Sequence, residues 1–118
     1  MTNLTTLSLT GNYLSGDIPP EIGNLTSLTT LSLSDNGLSG SIPSELGALT
    51  ALTGYFSLPS NTLSGSIPSE LGALTGLAGF NIKDNKLCAD IPTEISALST
   101  GIDDMWAWST SGNNCLGT

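Results

Sequence analysis

LSGSIPSELGALT, residues 38–50, is repeated without a change at residues 63–75. Looser copies of this stretch begin at Leu14 and Leu87. A tandem pattern with a period of 24 or 25 residues is typical of a solenoid, in which each unit buries its apolar side against the next. We therefore predict a single domain with a C-terminal cap at residues 101–118. Its four repeats are 4–27, 28–51, 52–76 and 77–100.

Each repeat has the pattern L-x-x-L-x-L-x-x-N-x-L-x-x-x-I-P-x-E-[LI]-x-x-L. In the first repeat, Leu7 and Leu9 alternate with small hydroxyl residues, which indicates a half-buried strand. Strands of stacked coils would lie about 4.8 Å apart in a parallel sheet. One asparagine follows each strand, and we expect its amide to bond the backbone of its own coil and of the next coil. This structural asparagine ladder consists of Asn12, Asn36, Asn61 and Asn85.

The I-P-x-E part of each repeat predicts a second extended segment and then one helical turn. Proline presets the turn, Ser44 and Ser69 can cap it, and the glutamate that follows lies at its positive end. A glycine inside the turn limits it to one turn of 3₁₀ type. The third repeat has one extra residue near Gly54, and Pro59 has no backbone donor, so we expect a bulge in the third strand.

The motif L-S-G-x-I-P resembles that of the plant-type leucine-rich repeat family, and the resemblance extends from residue 4 to about residue 100. Polygalacturonase-inhibiting proteins and plant receptor-kinase ectodomains have the same unit, and the tail is similar to the ends of algal leucine-rich repeat proteins. The resemblance implies an α/β solenoid. This would be a short right-handed leucine-rich repeat coil with a parallel β-sheet on the concave face and turns and short 3₁₀ or α segments on the convex face. It also implies a non-catalytic recognition module for protein, peptide or glycan ligands.

The composition excludes several classes of function. Ten acidic residues stand against two lysines, and histidine and arginine are missing, so the net charge is −8. This rules out a Ser-His-Asp triad and histidine-ligated zinc, and it argues against nucleic-acid partners. We expect no catalytic residue, no cofactor and no metal site, although calcium at Asp35, at Asp84 or at a column of glutamates stays an alternative. A catalytic pair of carboxylates needs two different environments, which separate the two pKa values. The equivalent positions of this column offer none; its members are Glu21, Glu45, Glu70 and Glu94.

The outward strand positions form the candidate ligand-binding face, because the matching positions of relatives contact ligands. The candidates are Thr6, Ser8, Thr10, Thr30, Ser32, Ser34, Tyr55, Ser57, Asn81 and Lys83. Of these residues only Tyr55 is of a type that dominates protein interfaces. A solvated polar face, an enzyme inhibitor and a structural or ice-interacting protein remain alternatives. Four strands span only about 15–20 Å, which favours a weak binder, an oligomer or one part of a longer solenoid.

The C-terminal tail and two glycosylation sequons indicate where the protein is located. A disulfide between Cys88 and Cys115 would tether the cap, and two free thiols in a cytosolic protein are the alternative. We expect Trp106 and Trp108 to cover the open end of the core. Asn3-Leu4-Thr5 and Asn24-Leu25-Thr26 match the glycosylation sequon and favour secretion, although no signal peptide is visible. We therefore predict an extracellular protein with no membrane span.

The first strand forms an open edge in this scheme. Leu4 begins a repeat three residues after Met1, so the outer backbone groups of the first strand would be unpaired and its leucines half exposed. One adhesive end favours a two-fold dimer over a filament. We predict a weak, salt-promoted homodimer through the N-terminal edge, since salt screens the repulsion between acidic chains.

Overall fold

Each coil of the chain contributes one short strand to a common parallel sheet. The computed structural model describes residues 3–87, 93–96 and 108–109. The strands are β1 (Thr6–Ser8), β2 (Ser15–Asp17), β3 (Thr30–Ser32), β4 (Gly37–Ser39), β5 (Tyr55–Ser57), β6 (Ser64–Gly65), β7 (Gly79–Asn81), β8 (Lys86–Leu87) and β9 (Trp108–Ser109). The main sheet has the order β1-β3-β5-β7-β9, and β2-β4 and β6-β8 form two small parallel ladders beside it.

The register of the main sheet stacks equivalent residues of successive repeats. Leu7 lies opposite Leu31, Leu31 opposite Phe56, and Phe56 opposite Phe80. The side chains of Leu31, Phe56 and Phe80 are fully buried, and the two phenyl rings stack with their centroids 5.3 Å apart. The α/β solenoid and the strand positions predicted from the leucine pattern are therefore confirmed.

The extra residue of the third repeat does not bulge the strand, contrary to expectation. Two residues separate Leu28 from Leu31, whereas three separate Leu52 from Phe56. The chain accommodates the third residue in the turn before β5, where no ladder has to be broken, and Leu31–Phe56 then continue in register. Gly54 lies in this turn, and a Cβ atom there would come 2.5 Å from Thr30 Oγ1. Any larger residue at this position would have to displace the Thr30 hydroxyl, so glycine suits the close approach of the two coils.

The other side of each coil is a single helical turn. Three of them, Pro20–Asn24, Ser44–Ala48 and Ser69–Ala73, are 3₁₀ segments of five residues, and α1 (Thr93–Ser96) is a four-residue α-helix. The predicted length and type are confirmed for the three 3₁₀ segments. The predicted serine caps are wrong: Ser44 and Ser69 are the first residues inside their segments, and an extended proline occupies each cap position without a side-chain hydrogen bond. Proline suits this position because its φ is already fixed near the helical value.

The glycines of these turns serve coil stacking. A Cβ atom on Gly47 would lie 2.5 Å from the carbonyl oxygen of Glu70, and one on Gly72 would lie 2.6 Å from Glu94 Cβ. Gly23 is equally close to the backbone of Glu45. The convex segments therefore pack backbone against backbone, which only glycine allows.

The asparagine ladder runs in the direction opposite to the predicted one. Asn61 Nδ2 donates to the carbonyl oxygens of Leu58 and Pro59 in its own coil and, at 2.9 Å, to Leu33 O of the preceding coil. Its Oδ1 accepts from Leu38 N, also in the preceding coil. Asn36 and Asn85 bond in the same way, so each amide ties its coil to the one before it, not to the next. The Asn12 side chain donates to Thr10 O of its own coil, while the Asn12 backbone N–H donates to Asn36 Oδ1.

The core is closed in its middle and open at the first coil. Leu28, Leu52 and Leu74 are at most 1% exposed, but Leu9 is 36% exposed, as the half-exposed leucines of an open edge require. Leu4, Leu7, Leu14, Ile22 and Leu25 are only partly buried. They line an apolar groove of about 380 Å³ at the N-terminal end, which we call the end groove.

At the other end of the main sheet β9 pairs with β7, with Trp108 opposite Phe80 and Ser109 opposite Asn81. The backbone of residues 108–109 thus adds a fifth strand where the cap was expected. Trp106, Cys88 and Cys115 lie outside the described residues, and so does the predicted disulfide.

Candidate ligand-binding face

The main sheet presents one face of outward side chains, which we call the sheet face. The register aligns its residues in three columns that run across the coils. The columns are Thr6, Thr30, Tyr55 and Gly79; Ser8, Ser32, Ser57 and Asn81; and Thr10, Ser34, Pro59 and Lys83. All ten candidate residues from the sequence lie on this one face.

The first two coils carry a cluster of hydroxyl groups that bond to one another. Thr10 Oγ1 lies 2.9 Å from Ser32 Oγ and 3.1 Å from Ser34 Oγ. Ser34 is only 9% exposed, so it does not lie open to a ligand as expected. Its hydroxyl is held by its neighbours because three short polar side chains fill the space between two adjacent strands. This half of the sheet face is polar, and its hydrogen bonds are partly satisfied within the protein.

The third and fourth coils carry the largest side chains of the sheet face. The Tyr55 ring is 45% exposed, and Gly79, which has no side chain, lies directly opposite it in the register. Lys83 is exposed, and its backbone N–H donates to Asn81 Oδ1 at 3.1 Å. This bond fixes the Asn81 amide on the sheet. The sheet face of the third and fourth coils therefore carries an aromatic ring, an amide and an ammonium group.

Sequence reasoning did not anticipate the two internal hydrogen-bond groups of the sheet face. Thr10 bonds Ser34, one repeat of 24 residues away, and also Ser32, which lies two positions before Ser34 on the same face. Lys83 bonds Asn81, two positions before it in the same coil. This spacing of i and i+2 on one face of a strand is the signal that could have indicated them.

The glutamate column does not resemble a catalytic site. Glu21, Glu45, Glu70 and Glu94 are exposed and lie at equivalent positions in the first turns of the convex segments. Within residues 3–87, 93–96 and 108–109, no group of three or more His, Cys, Asp or Glu side chains is placed to hold a metal ion. No helix in these ranges is long and apolar enough to cross a bilayer.

The comparisons with known proteins identify the repeat. A family model described as "Leucine Rich repeats (2 copies)" matches residues 2–48. The plant peptide hormone receptor RGFR1, solved in complex with RGF2, is 42% identical with a TM-score of 0.84, and the match covers 96% of this chain and 17% of the receptor. The Arabidopsis receptor kinase HAESA, solved with the peptide hormone IDA and the co-receptor SERK1, is 35% identical with a TM-score of 0.83. That match covers 95% of this chain and 18% of the receptor.

A plant ice-binding protein is also similar, with 32% identity and a TM-score of 0.78 over 93% of this chain and 34% of that protein. The chain thus spans about a third or less of the length of these three structures. No curated protein sequence matches significantly.

Proposed function

Because the chain is a leucine-rich repeat protein of the plant type, we propose that it is a non-catalytic recognition module that binds a protein or peptide ligand on its sheet face. The extracellular location belongs to the same proposal. It is supported by the similarity to receptor ectodomains that were solved with peptide hormones. An enzyme inhibitor would be one special case, in which the protein ligand is an enzyme.

The observation that carries the proposal is the exposure of Tyr55 in the middle of the sheet face. Exposed tyrosines with an apolar ring and a polar hydroxyl dominate the binding energy of many interfaces. Asn81 adds an amide that can bond a peptide backbone, and Lys83 adds a cation for a ligand carboxylate. The convex segments, in contrast, present a row of equivalent acidic residues on short turns.

The described part of the sheet face suits a small ligand. Its four strands, β1, β3, β5 and β7, lie about 4.8 Å apart and are narrower than a standard interface of about 800 Å² per partner requires. A short extended peptide fits this width better than a globular protein. The net charge of −8 favours neutral or basic peptides over acidic ones.

The experiment selects binders from a phage-displayed library of random peptides and then compares variants. Tyr55→Ala should weaken the best peptide at least about tenfold, as the loss of a central aromatic contact does. The matched control is Tyr13→Asn, since Tyr13 is 97% exposed and lies outside the strands of the sheet face, between β1 and β2. Asparagine is chosen there because Tyr13 has a φ of 58°, which asparagine tolerates. Equal affinity of both variants, with melting curves that show both folded, would refute the proposal.

Ice interaction is a second candidate because a plant ice-binding protein shares 32% identity with the chain. Hydroxyl groups occupy equivalent positions in the first two coils, but Pro59, Asn81 and Lys83 break these rows in the third and fourth coils. The measurement is thermal hysteresis together with inhibition of recrystallisation. Activity in either assay that Ser8→Tyr and Ser32→Tyr abolish would support this candidate. The absence of activity in each of the two assays would refute ice interaction.

The weak, salt-promoted homodimer through the N-terminal edge is a separate part of the proposal, supported by the end groove and the exposed Leu9. Analytical ultracentrifugation at millimolar concentration in low and in high salt tests it. A strictly monomeric chain under both conditions would refute the homodimer.

A further inference from the structure

One dipeptide of the chain joins a ladder asparagine to the residue type that makes asparagine chemically labile. Asn36 is followed by Gly37, and no other asparagine of the sequence precedes a glycine. An asparagine loses its amide when the backbone nitrogen of the next residue attacks its Cγ atom. Glycine accelerates this ring closure because it has no side chain to obstruct the attack and because its backbone is flexible. We therefore expect Asn36 to react faster than the other asparagines when the chain is unfolded.

The fold does not require glycine at residue 37. The equivalent residues of the third and fourth coils are Thr62 and Lys86, and all three backbone N–H groups donate to a carbonyl group of the preceding coil at 2.7–2.8 Å. Unlike Gly40, Gly37 does not have a positive φ. A Cβ atom at Gly37 would lie 3.1 Å from Leu14 O, a close contact that a small shift of the coil relieves. Backbone conformation therefore does not explain why this reactive residue follows Asn36.

In the folded chain both reacting groups are held by the first coil. The Gly37 N–H, which has to lose its proton in the reaction, donates to Leu14 O at 2.7 Å. The Asn36 amide accepts from Asn12 N at 2.9 Å and from Leu14 N at 3.0 Å, and it donates to Leu9 O at 3.0 Å. These four hydrogen bonds all join the first coil to the second. The amide can turn towards Gly37 N only after they break, which means after the two coils have parted.

The product of the reaction cannot restore these contacts. An ionised aspartate at residue 36 only accepts hydrogen bonds. It therefore has no donor for Leu9 O, Leu33 O and Ser34 O, the three carbonyl oxygens to which Asn36 Nδ2 donates. The isoaspartate product inserts the side-chain methylene group into the backbone, which moves the following residues of the coil out of register. Either product would weaken the stacking of the second coil on the first.

We propose that Asn36-Gly37 is a modification site that the contact between the first and second coils keeps closed. When the coils part, Gly37 N attacks Asn36 Cγ; the new N–C bond forms, the Cγ–Nδ2 bond breaks, and the amide nitrogen leaves as ammonia with the proton of Gly37 N. Water then opens the resulting succinimide at either carbonyl group, which gives aspartate or isoaspartate. The modification marks chains whose coils have separated and keeps these coils from stacking again.

The first experiment tests the reactivity of the site. The protein is incubated at mildly alkaline pH in urea, and a protease that cleaves after glutamate then releases residues 22–45 and 46–70, which contain Asn36 and Asn61. Tandem mass spectrometry measures the loss of each amide. We expect faster loss at Asn36 than at Asn61, and no such preference in Gly37→Thr, the matched control with the residue of the third coil. Equal rates at Asn36 and Asn61 in the unaltered chain would overturn the proposal.

The same measurement without urea tests the protection by the fold. We expect the loss at Asn36 to be at least about tenfold slower in the folded chain, because only the opened state reacts and such minor states make up at most about a tenth of the molecules. An equal rate at Asn36 with and without urea would overturn the protection by coil stacking.

The second experiment tests which contact keeps the site closed. A Cβ atom on Gly23 would clash with the backbone of Glu45, so Gly23→Ala weakens the contact between the first and second coils. Gly47→Ala is the matched control, because its Cβ would clash with Glu70 O and weaken the contact between the second and third coils. In the absence of urea we expect Gly23→Ala to accelerate the loss at Asn36 about tenfold and Gly47→Ala to accelerate it less. Equal acceleration by the two variants would overturn the assignment of the contact.

The third experiment tests the effect of the product. Asn36→Asp should melt at least about 4 °C below Asn12→Asp, because it removes hydrogen bonds between coils, whereas the exposed amide of Asn12 donates to Thr10 O of its own coil. Equal melting temperatures of the two variants would overturn the claim that the modified coils cannot stack again.

Discussion

At the scale of single residues, the asparagines after each strand tie successive coils together. Asn61 makes four hydrogen bonds to backbone groups, two of them to the preceding coil, and is only 7% exposed. These bonds replace the ladder bonds that end where the chain turns inward. They also explain why Pro59 does no harm in the third strand: the Leu33 carbonyl group accepts from the Asn61 amide.

Replacing a ladder asparagine should therefore be costly. Asn61→Ala removes the bonds to Leu33 O and Leu38 N of the preceding coil. The two carbonyl groups of its own coil keep other donors, Asn85 Nδ2 and Asp35 N. Each buried group that loses its partner costs about 1–3 kcal/mol. We expect a loss of about 2–4 kcal/mol in the free energy of unfolding, measured by reversible denaturation in urea.

Asn12→Ala is the matched control, because the Asn12 side chain is exposed and its amide donates to Thr10 O of its own coil. Equal losses for the two variants would contradict the assignment of the ladder.

At the scale of elements, no strand or turn is stable by itself. The strands are two or three residues long, and each 3₁₀ segment has five residues. Segments of this length do not persist alone in water. Their order comes from stacking on the equivalent segment of the next coil, with glycine at the point of closest approach in the convex row. The identical repeats 38–50 and 63–75 can both fold this way because each coil offers the next the same surface.

The glycines of the convex segments allow a test in which coil stacking and local helix preference have opposite effects on stability. An alanine in place of glycine usually stabilises a helical turn by about 0.5–1 kcal/mol. At residue 47, however, the new Cβ would lie 2.5 Å from Glu70 O, so we expect Gly47→Ala to destabilise the chain by about 1–3 kcal/mol. Gly76→Ala is the control, since the nearest atom to its Cβ is 3.4 Å away. The measurement is the melting temperature of both variants. A higher melting temperature for Gly47→Ala would contradict the prediction that coil stacking outweighs local helix preference at this position.

At the scale of the whole molecule, the two ends of the sheet differ. β9 lies on the outer edge of β7, while the first coil exposes Leu9 and the end groove. The sheet face lies between these two ends, on β1, β3, β5 and β7.

The cap that was expected beyond β7 leads to a prediction for the whole chain. If Cys88 and Cys115 are joined, the bond closes a loop of 27 residues around β9 and would stabilise the chain by about 3 kcal/mol in the chain-entropy account. Thiol titration of the denatured, unreduced protein should then find no free thiol. Two free thiols per chain would contradict the bond and favour an intracellular location.

Most of the fold could be predicted from the length of the repeat. A period of 24 or 25 residues with leucines at fixed offsets places Leu31, Phe56 and Phe80 in one buried column, because equivalent residues of stacked coils must coincide. The direction of the asparagine bonds, the proline caps and the role of Gly47 were not predictable in this way. They depend on distances between coils that no pattern within one repeat contains. The burial of Ser34 on the sheet face follows from the same cause: its neighbour Thr10 belongs to another coil.

The most direct test of the recognition function is an NMR titration of the isotopically labelled chain with the best selected peptide. The account predicts that the backbone amides of residues 55–57 and 79–83, on the sheet face, shift most. The amides of the convex segments 44–48 and 69–73 should stay in place. Shifts centred on the convex segments or on the end groove, with residues 55–57 and 79–83 unchanged, would contradict the assignment of the sheet face as the binding surface.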